Sequence, residues 1–384
     1  MKKYILPLIL ILILSFTLIG NCAWLAGWDQ RVKLTTDETK IDTANLTWFP
    51  VTVFLTGAQA EEVFAEFDAD ADYLKVAFTK ADGTTELYAE CELFDDSESK
   101  GIYHVSRDGW VIAYDADTDF YMYYDNDHAD NTDYIGAINT TAGGNVWDGN
   151  FKAVYHMVDD AGGEIDDSTS NNNDGTKKGA GEPASAVGKV GLGQEFDGSN
   201  DTIQIADSDS LDIAAAITIE VCVEPDAGWA NYDKLLEKVS DSGEYPYNVD
   251  IVSSHWRGYV TFTDNTAAIV QATSTFVQDT WYHVVFTYDG TNAKIYVNGE
   301  LETTSADVSK AIKTSTKVIW LGSHVGTQQL FDGIEDELKI SSVARTVGWI
   351  KATYNSLWDT LLTYGSEESA VVTEGNEIFF GINF

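Results

Sequence analysis

Positive charge is scarce in this chain relative to negative charge. Its 384 residues carry 23 lysines and arginines against 62 aspartates and glutamates, for a formal net charge of −39. Such a surface repels phosphate backbones, which excludes nucleic acid as a partner and favours divalent cations or a saline medium. Cysteine is rarer still. Of Cys22, Cys91 and Cys222, the first sits at the end of a leader, so at most one pair remains and no disulfide framework is expected. Cys91 and Cys222, each in a strand-like run, are read as buried free thiols. Five prolines against 31 glycines, with abundant Thr, Val, Tyr and Ile, point to an all-β protein with tight turns. Hydrophobic content of 44% and aromatic content of 12% exclude a disordered chain.

Long apolar runs are also missing, with one exception. Met1–Ala23 has Lys2 and Lys3, an apolar run from Tyr4 to Ile19, and then Gly20-Asn21-Cys22-Ala23. Charged start, apolar middle and small-residue end are the order of a secretory signal peptide. The run falls short of the roughly 20 residues of a membrane span, so cleavage is expected, leaving no stable span and a secreted or cell-surface protein. Asn21 departs from a lipoprotein box ahead of Cys22.

What the chain does contain is strands. Thr280–Thr304 (TWYHVVFTYDGTNAKIYVNGELETT) holds two of them, closed by Asp289-Gly290 and Asn298-Gly299, both strong hairpin signals. Tyr282, Val284, Phe286 and Tyr288 alternate with Trp281, Val285 and Thr287. Both sets are largely apolar, so this strand is expected inside a sandwich and covered on both faces. Phe49–Leu55, Tyr73–Phe78, Glu86–Phe94, Gly109–Tyr114 and Phe120–Tyr124 read as further strands, and Gln59–Phe67 as a short helix. In Glu86–Phe94 the alternation predicts Leu87, Ala89, Cys91 and Leu93 inward and Glu86, Glu90 and Glu92 outward. Tyr121, Tyr123 and Tyr124 are read as core and flank rather than as a sugar platform.

The stretch W-Y-H-V-V-F-T-Y-D-G with K-I-Y-V-N-G resembles the signature of the laminin-G-like, concanavalin-type jelly roll. F-D-G…D-T-I-Q-I…S-L-D-I around Phe196–Ile213 and F-D-G-I-E-D-E-L-K-I at Phe331–Ile340 extend the match. Upstream, G-W-D-Q-R-V-K-L-T, F-P-V-T-V-F-L, D-Y-L-K-V-A-F-T-K-A-D-G-T-T-E-L-Y-A-E and F-Y-M-Y-Y-D-N are similar to a family of secreted β-domains, domain of unknown function 2341, which commonly precedes such a jelly roll. The resulting division is a signal peptide at 1–23, a β-sandwich at 24–130, a linker at 131–150, the jelly roll with its closing segment at 151–368, and a tail at 369–384. The fold class is two β-sandwich domains in tandem.

Chemistry is sparse. Glu335, Asp336 and Glu337 are consecutive, whereas glycosidases of this jelly roll space three carboxylates on alternate residues of one strand, so Asp336 is expected to face away from the other two. The six histidines (His104, His128, His156, His255, His283, His324) show no metal-ligand spacing, and no nucleophile or phosphate-binding motif occurs. Calcium is the better candidate cofactor. Asp167, Asn171 and Asn173 on the polar loop Asp166–Gly175, with Asp332 and Asp336 near the last strand, are oxygen donors of the right kind. Related jelly rolls place the first and last strands side by side. Trp229, Tyr232, Tyr245, Tyr247 and Trp256 in the variable segment Asp226–Ser254 are candidate aromatic contacts for a ligand. The function expected is non-catalytic binding or adhesion to an extracellular glycan or protein. The alternatives are a structural component of a cell envelope, appendage or virion, using residues 369–384 for assembly, and then a glycoside hydrolase.

Overall fold

The computed structural model describes residues 23–160, 162–178, 183–239 and 245–370. The leader with Cys22, and residues 371–384 of the expected assembly tail, lie outside the described residues. Among the described residues no helix is long and apolar enough to cross a membrane.

The first module is one folded-over sheet. Its strands run Leu362–Ser369, Gln30–Thr36, Thr118–Tyr124, Val76–Lys80, Glu86–Asp95, Lys100–Ser106 and Val51–Leu55 in spatial order. Glu86–Asp95 passes between the two layers: its first residues pair with Val76–Lys80 and the rest with Lys100–Ser106. Val32, Leu34, Phe78, Phe120 and Met122 from one layer meet Val51, Val53, Leu87, Tyr103 and Val105 from the other. The expected helix forms at Gly57–Phe64, with Val63, Phe64 and Phe67 buried. Tyr121, Tyr123 and Tyr124 are buried as core and flank.

The second module packs two sheets face to face. One has the order Ala184–Val187, Leu192–Asp197, Asp332–Ser341, Ile217–Pro225, Tyr282–Tyr288, Ala293–Val297 and Glu300–Thr304, with Phe151–Tyr155 also paired to Asp332–Ser341. The other runs Gly175–Lys177, Ile203–Ile205, Ile319–Leu321, Lys234–Lys238, Tyr247–Val252, His255–Thr261 and Ala267–Gln271. Tyr282–Tyr288 is an interior strand, flanked by Ile217–Pro225 and Ala293–Val297. Val284, Phe286 and Tyr288 enter the core between the sheets. On its other face Val285 packs with Ile350, and the His283 ring stacks on Tyr354 at 6.3 Å, so the helix Val347–Leu357 is what covers the second side. The turn at Asn298-Gly299 has φ of 51° and 82°, the paired left-handed conformation that favours this dipeptide.

Two boundaries differ from the sequence reading. Residues 131–150 are not a loose linker. Ile135–Ala137 joins Glu86–Asp95 as a parallel strand, Thr141–Gly144 forms a single helical turn capped by Thr140, and Val146 and Trp147 are buried. The closing segment does not stay with the jelly roll either. After the helix Val347–Leu357 the chain crosses back, and Leu362–Ser369 pairs antiparallel with Gln30–Thr36. The first module is therefore completed by residues from both ends of the described chain.

Candidate functional site

Alternation in the second sheet separates a core face from an outer one. Tyr247, Val249 and Ile251 point inward, as do Trp256 and Val260. The intervening positions, Asn248, Asp250, Arg257 and Tyr259, therefore line the outer face. Lys234 and Glu237 from the neighbouring strand join them, and an unusual floor of charge results. Asp250, Asn248 and Glu237 are fully buried and Lys234 nearly so, although they lie on the side away from the core.

Every charge on this floor is paired. The Asp250 carboxylate accepts from Arg257 Nε at 2.7 Å and Nη2 at 2.6 Å, from Lys234 Nζ at 2.7 Å and from Asn248 Nδ2 at 3.0 Å. The bidentate fork holds Arg257 in one orientation. Burial lowers the affinity of that guanidinium for its proton, but Asp250 overrides this and raises it. Glu237 lies 2.8 Å from His324 Nδ1, and burial pushes its carboxyl above the usual range against that contact. Asn248 Oδ1 is buried with no hydrogen-bond partner.

Aromatic rings stand over and around this floor. Tyr245 meets Tyr259 edge-on at 6.0 Å and His324 at 5.5 Å. Lys234 Nζ lies 5.5 Å from the Tyr245 ring, and Arg257 lies 5.4 Å from Tyr232 and 5.7 Å from Tyr259. Tyr232 is 47% exposed. Exposed and half-buried rings beside a partly exposed guanidinium are the kind of surface that recognises a polyhydroxylated ligand, with Asp250 and Asn248 buried beneath it.

Of the five expected ligand contacts, Tyr232 and Tyr245 reach this face and the other three do not. Trp256 and Tyr247 are fully buried, with Tyr247 Oη donating to Leu211 O at 2.9 Å. Trp229 packs on the core, its ring 5.1 Å from Phe276. Proximity in a loop-rich segment suggested them; the phase of the strands removes them. The same phase in Y-N-V-D-I-V and H-W-R-G-Y-V would have selected Asn248, Asp250, Arg257 and Tyr259, which composition alone did not.

The expected calcium donors do not converge. Phe151–Tyr155 does pair with Asp332–Ser341 as anticipated. Asp167, however, spends its carboxylate on Val154 N, Thr169 N, Thr169 Oγ1 and Asn173 N, all at 2.9–3.0 Å. Burial pushes the Asp167 carboxyl up to about 6, against those four donors. The Asn171 and Asn173 amides donate to Lys152 O, so their role is to tie the loop to a strand. Val154 pairs with Lys339, near the opposite end of that strand from Asp332.

The consecutive carboxylates also differ from a simple alternation. Register slips between Glu220 and Cys222 against Lys339 and Asp336, and Glu337 takes φ of 51°. This bulge turns Asp336 and Glu337 to the same side, toward the first module, where Val190 N donates to Asp336 at 2.8 Å. Glu335 points the other way with both oxygens unpartnered, and burial holds its carboxyl well above the usual range. All three are sealed from solvent, so no polysaccharide reaches them.

A search of curated proteins found no match. Among solved structures, the binding domain of Paraclostridial Mosquitocidal Protein 1 is similar at 14% identity and TM-score 0.46, covering 54% of this chain and 52% of that one. The botulinum neurotoxin serotype G binding domain gives 14% and 0.44, covering 53% and 50%. This chain thus spans about half the length of both. Domain 4 of an extracellular arabinanase from Geobacillus stearothermophilus, solved with arabinotriose, gives 19% and 0.42, covering 55% of this chain and 98% of that domain. Residues 197–351 match the family model of the concanavalin A-like lectin/glucanases superfamily, and with its two stacked antiparallel sheets the second module is a concanavalin A-like jelly roll.

Proposed function

We propose that the chain is an exported, non-catalytic binding protein whose jelly roll holds a glycan on the outer face of the second sheet. The observation that supports this is the group of rings Tyr232, Tyr245 and Tyr259 around the partly exposed guanidinium of Arg257, held by a buried layer of Lys234, Glu237, Asn248 and Asp250. Locked by the buried layer beneath it, Arg257 presents its guanidinium in one orientation, which lowers the ordering cost of binding. The rings offer flat apolar faces to the C–H surfaces of a sugar. The leader Met1–Ala23 supports export, and the motifs of the first module support its assignment to domain of unknown function 2341, with no chemistry of its own.

A glycan array followed by calorimetry tests the reading. Tyr259→Ala and Tyr245→Ala are each expected to weaken the best glycan at least about tenfold, roughly 1.4 kcal/mol. Arg257→Lys keeps the charge but loses the fork and is expected to weaken it comparably, with native urea midpoints in all three variants. No glycan bound by the wild type, or undiminished binding in all three, would sink the proposal.

A further inference from the structure

Between the modules lies a second group of titratable side chains, unrelated to the outer face. Glu92 and His104 come from two paired strands of the first module, His156 follows the strand Phe151–Tyr155, and Glu337 comes from Asp332–Ser341. All four are buried, and one ligating atom from each lies within 4.8 Å of the others. His104 Nε2 is 2.8 Å from Glu92 Oε2 and 4.0 Å from Glu337 Oε1. His156 Nδ1 is 3.4 Å from Glu92 Oε2 and in direct contact with Glu337 Oε1. The two imidazoles stack at 4.4 Å. Both carboxylates stand at strand irregularities: register slips between Cys91 and Leu93, around Glu92, and Glu337 is the residue at φ 51°. Bulges re-aim side chains in this way beside functional sites.

The surrounding groups complete a recognisable pattern. Each imidazole has its outer nitrogen engaged, His104 Nδ1 by Thr52 Oγ1 at 3.2 Å and His156 Nε2 by Glu90 Oε2 at 3.2 Å. That leaves His104 Nε2 and His156 Nδ1 aimed at the centre. Glu90 is itself held by Trp147 Nε1 at 2.6 Å, and Glu337 Oε2 by Lys339 Nζ at 2.5 Å. Metal-bound histidines are oriented through their second nitrogen in just this manner. Two buried oxygens, Glu90 Oε1 and Glu92 Oε1, have no partner at all, an expensive state for a carboxylate out of water. Glu90, Glu92 and Glu337 against Lys339 leave two negative charges, the complement of one divalent cation. Asp336, capped by Val190 N, the Glu220–His283 pair at 3.5 Å and the buried thiol of Cys222 also face this layer.

We propose that Glu92, His104, His156 and Glu337 form a closed, four-ligand site for a zinc-class divalent ion that clamps the two modules together. Tetrahedral ligands about 2.0–2.1 Å from zinc stand roughly 3.4 Å apart, and the present separations bracket that value. Two imidazoles and two carboxylates suit zinc rather than calcium, and a site with no open position is structural. The site is independent of the glycan face.

The test uses the full chain purified without a polyhistidine tag. Metal analysis, with zinc added and removed by a chelator, is expected to find about one zinc per chain and a melting temperature that falls on stripping and returns on reloading. Cobalt in its place is expected to show the intense visible absorption of tetrahedral coordination. His104→Gln and Glu92→Gln, close in shape, are expected to fold and to bind zinc at least about 100-fold more weakly. Glu90→Gln, which only orients His156, is expected to weaken it by about 10- to 100-fold. A chain that takes up no zinc on titration and melts identically with chelator would overturn the proposal, leaving a proton-bridged ion cluster. Undiminished zinc binding in both ligand variants would overturn it too, by placing the metal elsewhere.

Discussion

Replacing Arg345 by methionine offers a sharp test of how the two modules are joined. Arg345 follows the last jelly-roll strand and reaches Asp148, in the stretch between the modules, through Nη1 at 2.7 Å and Nη2 at 2.9 Å. Its guanidinium is also sandwiched between Phe151 at 4.2 Å and Trp349 at 4.1 Å. Both partners are almost fully buried. Breaking such a pair from one side strands the other charge, which costs about 3–5 kcal/mol, and the lost cation–π contacts add about 1 kcal/mol. Methionine keeps most of the apolar stem, so the loss reports the charge rather than a cavity. Removing both charges in Asp148→Leu/Arg345→Met is expected to restore stability to within about 2 kcal/mol of the wild type. Urea unfolding of the four members of the cycle, followed by tryptophan fluorescence, gives the coupling energy. A single variant costing less than about 1 kcal/mol, or a double variant no better than the sum of the singles, would refute the argument. The pH dependence has a definite sign. Burial alone would raise the Asp148 carboxyl, but Arg345 holds it below its usual range. The unfolded chain therefore takes up this proton first, and the contribution is full above about pH 4 and lost as pH falls through the folded value. Asp148→Asn should flatten that acid limb.

Gly258→Ala would place a methyl group 2.2 Å from Phe286 Cδ2 between the sheets, and about 1–3 kcal/mol of overpacking is expected in urea unfolding; an unchanged midpoint would show that the sheets are not held this close. Cys91 and Cys222 are free and buried, and burial raises both thiols far above their usual range. A thiol reagent should therefore modify neither in the folded chain and both in urea, and rapid labelling of the native protein would contradict the burial.

The fold was legible wherever a single strand carries its own evidence. Tyr282–Tyr288 announces an interior strand because both phases are apolar, and Asn298-Gly299 announces its turn because few other pairs tolerate two successive positive φ values. Glu90 and Glu92 were misleading for an equally physical reason. Alternation correctly puts them on the face away from their own sheet's core, but it cannot say whether that face meets water or another domain. Here it meets a second module, and Glu90 is completely buried. The histidines failed as a signal because short spacing betrays a site only when one element supplies several ligands. His104 lies on Lys100–Ser106 and His156 just past Phe151–Tyr155, and they meet only through tertiary packing. Glu335, Asp336 and Glu337 show the third limit: one bulge reverses the phase of everything beyond it, and nothing local in E-D-E-L-K-I marks the slip.

The same residues explain why the boundary between the modules was hard to place. A tandem of independent sandwiches would have solvated polar faces at the join, with contacts few enough for each half to stand alone. Here the jelly roll turns a face toward its neighbour that carries Glu220, Cys222, His283, Asp336, Glu337 and Lys339, all buried. Several charges across the join are paired between segments: Glu337 with His156, His156 with Glu90, and Asp148 with Arg345. The final strand then pairs with Gln30–Thr36, so the first module encloses the second in sequence. Buried charge of this density is costly unless its partners are present, and those of Glu337, His156 and Asp148 named here come from distant parts of the chain. The polar layer therefore selects one arrangement of the two modules and penalises every other, and the outer face of the second sheet is left as the surface that faces solvent.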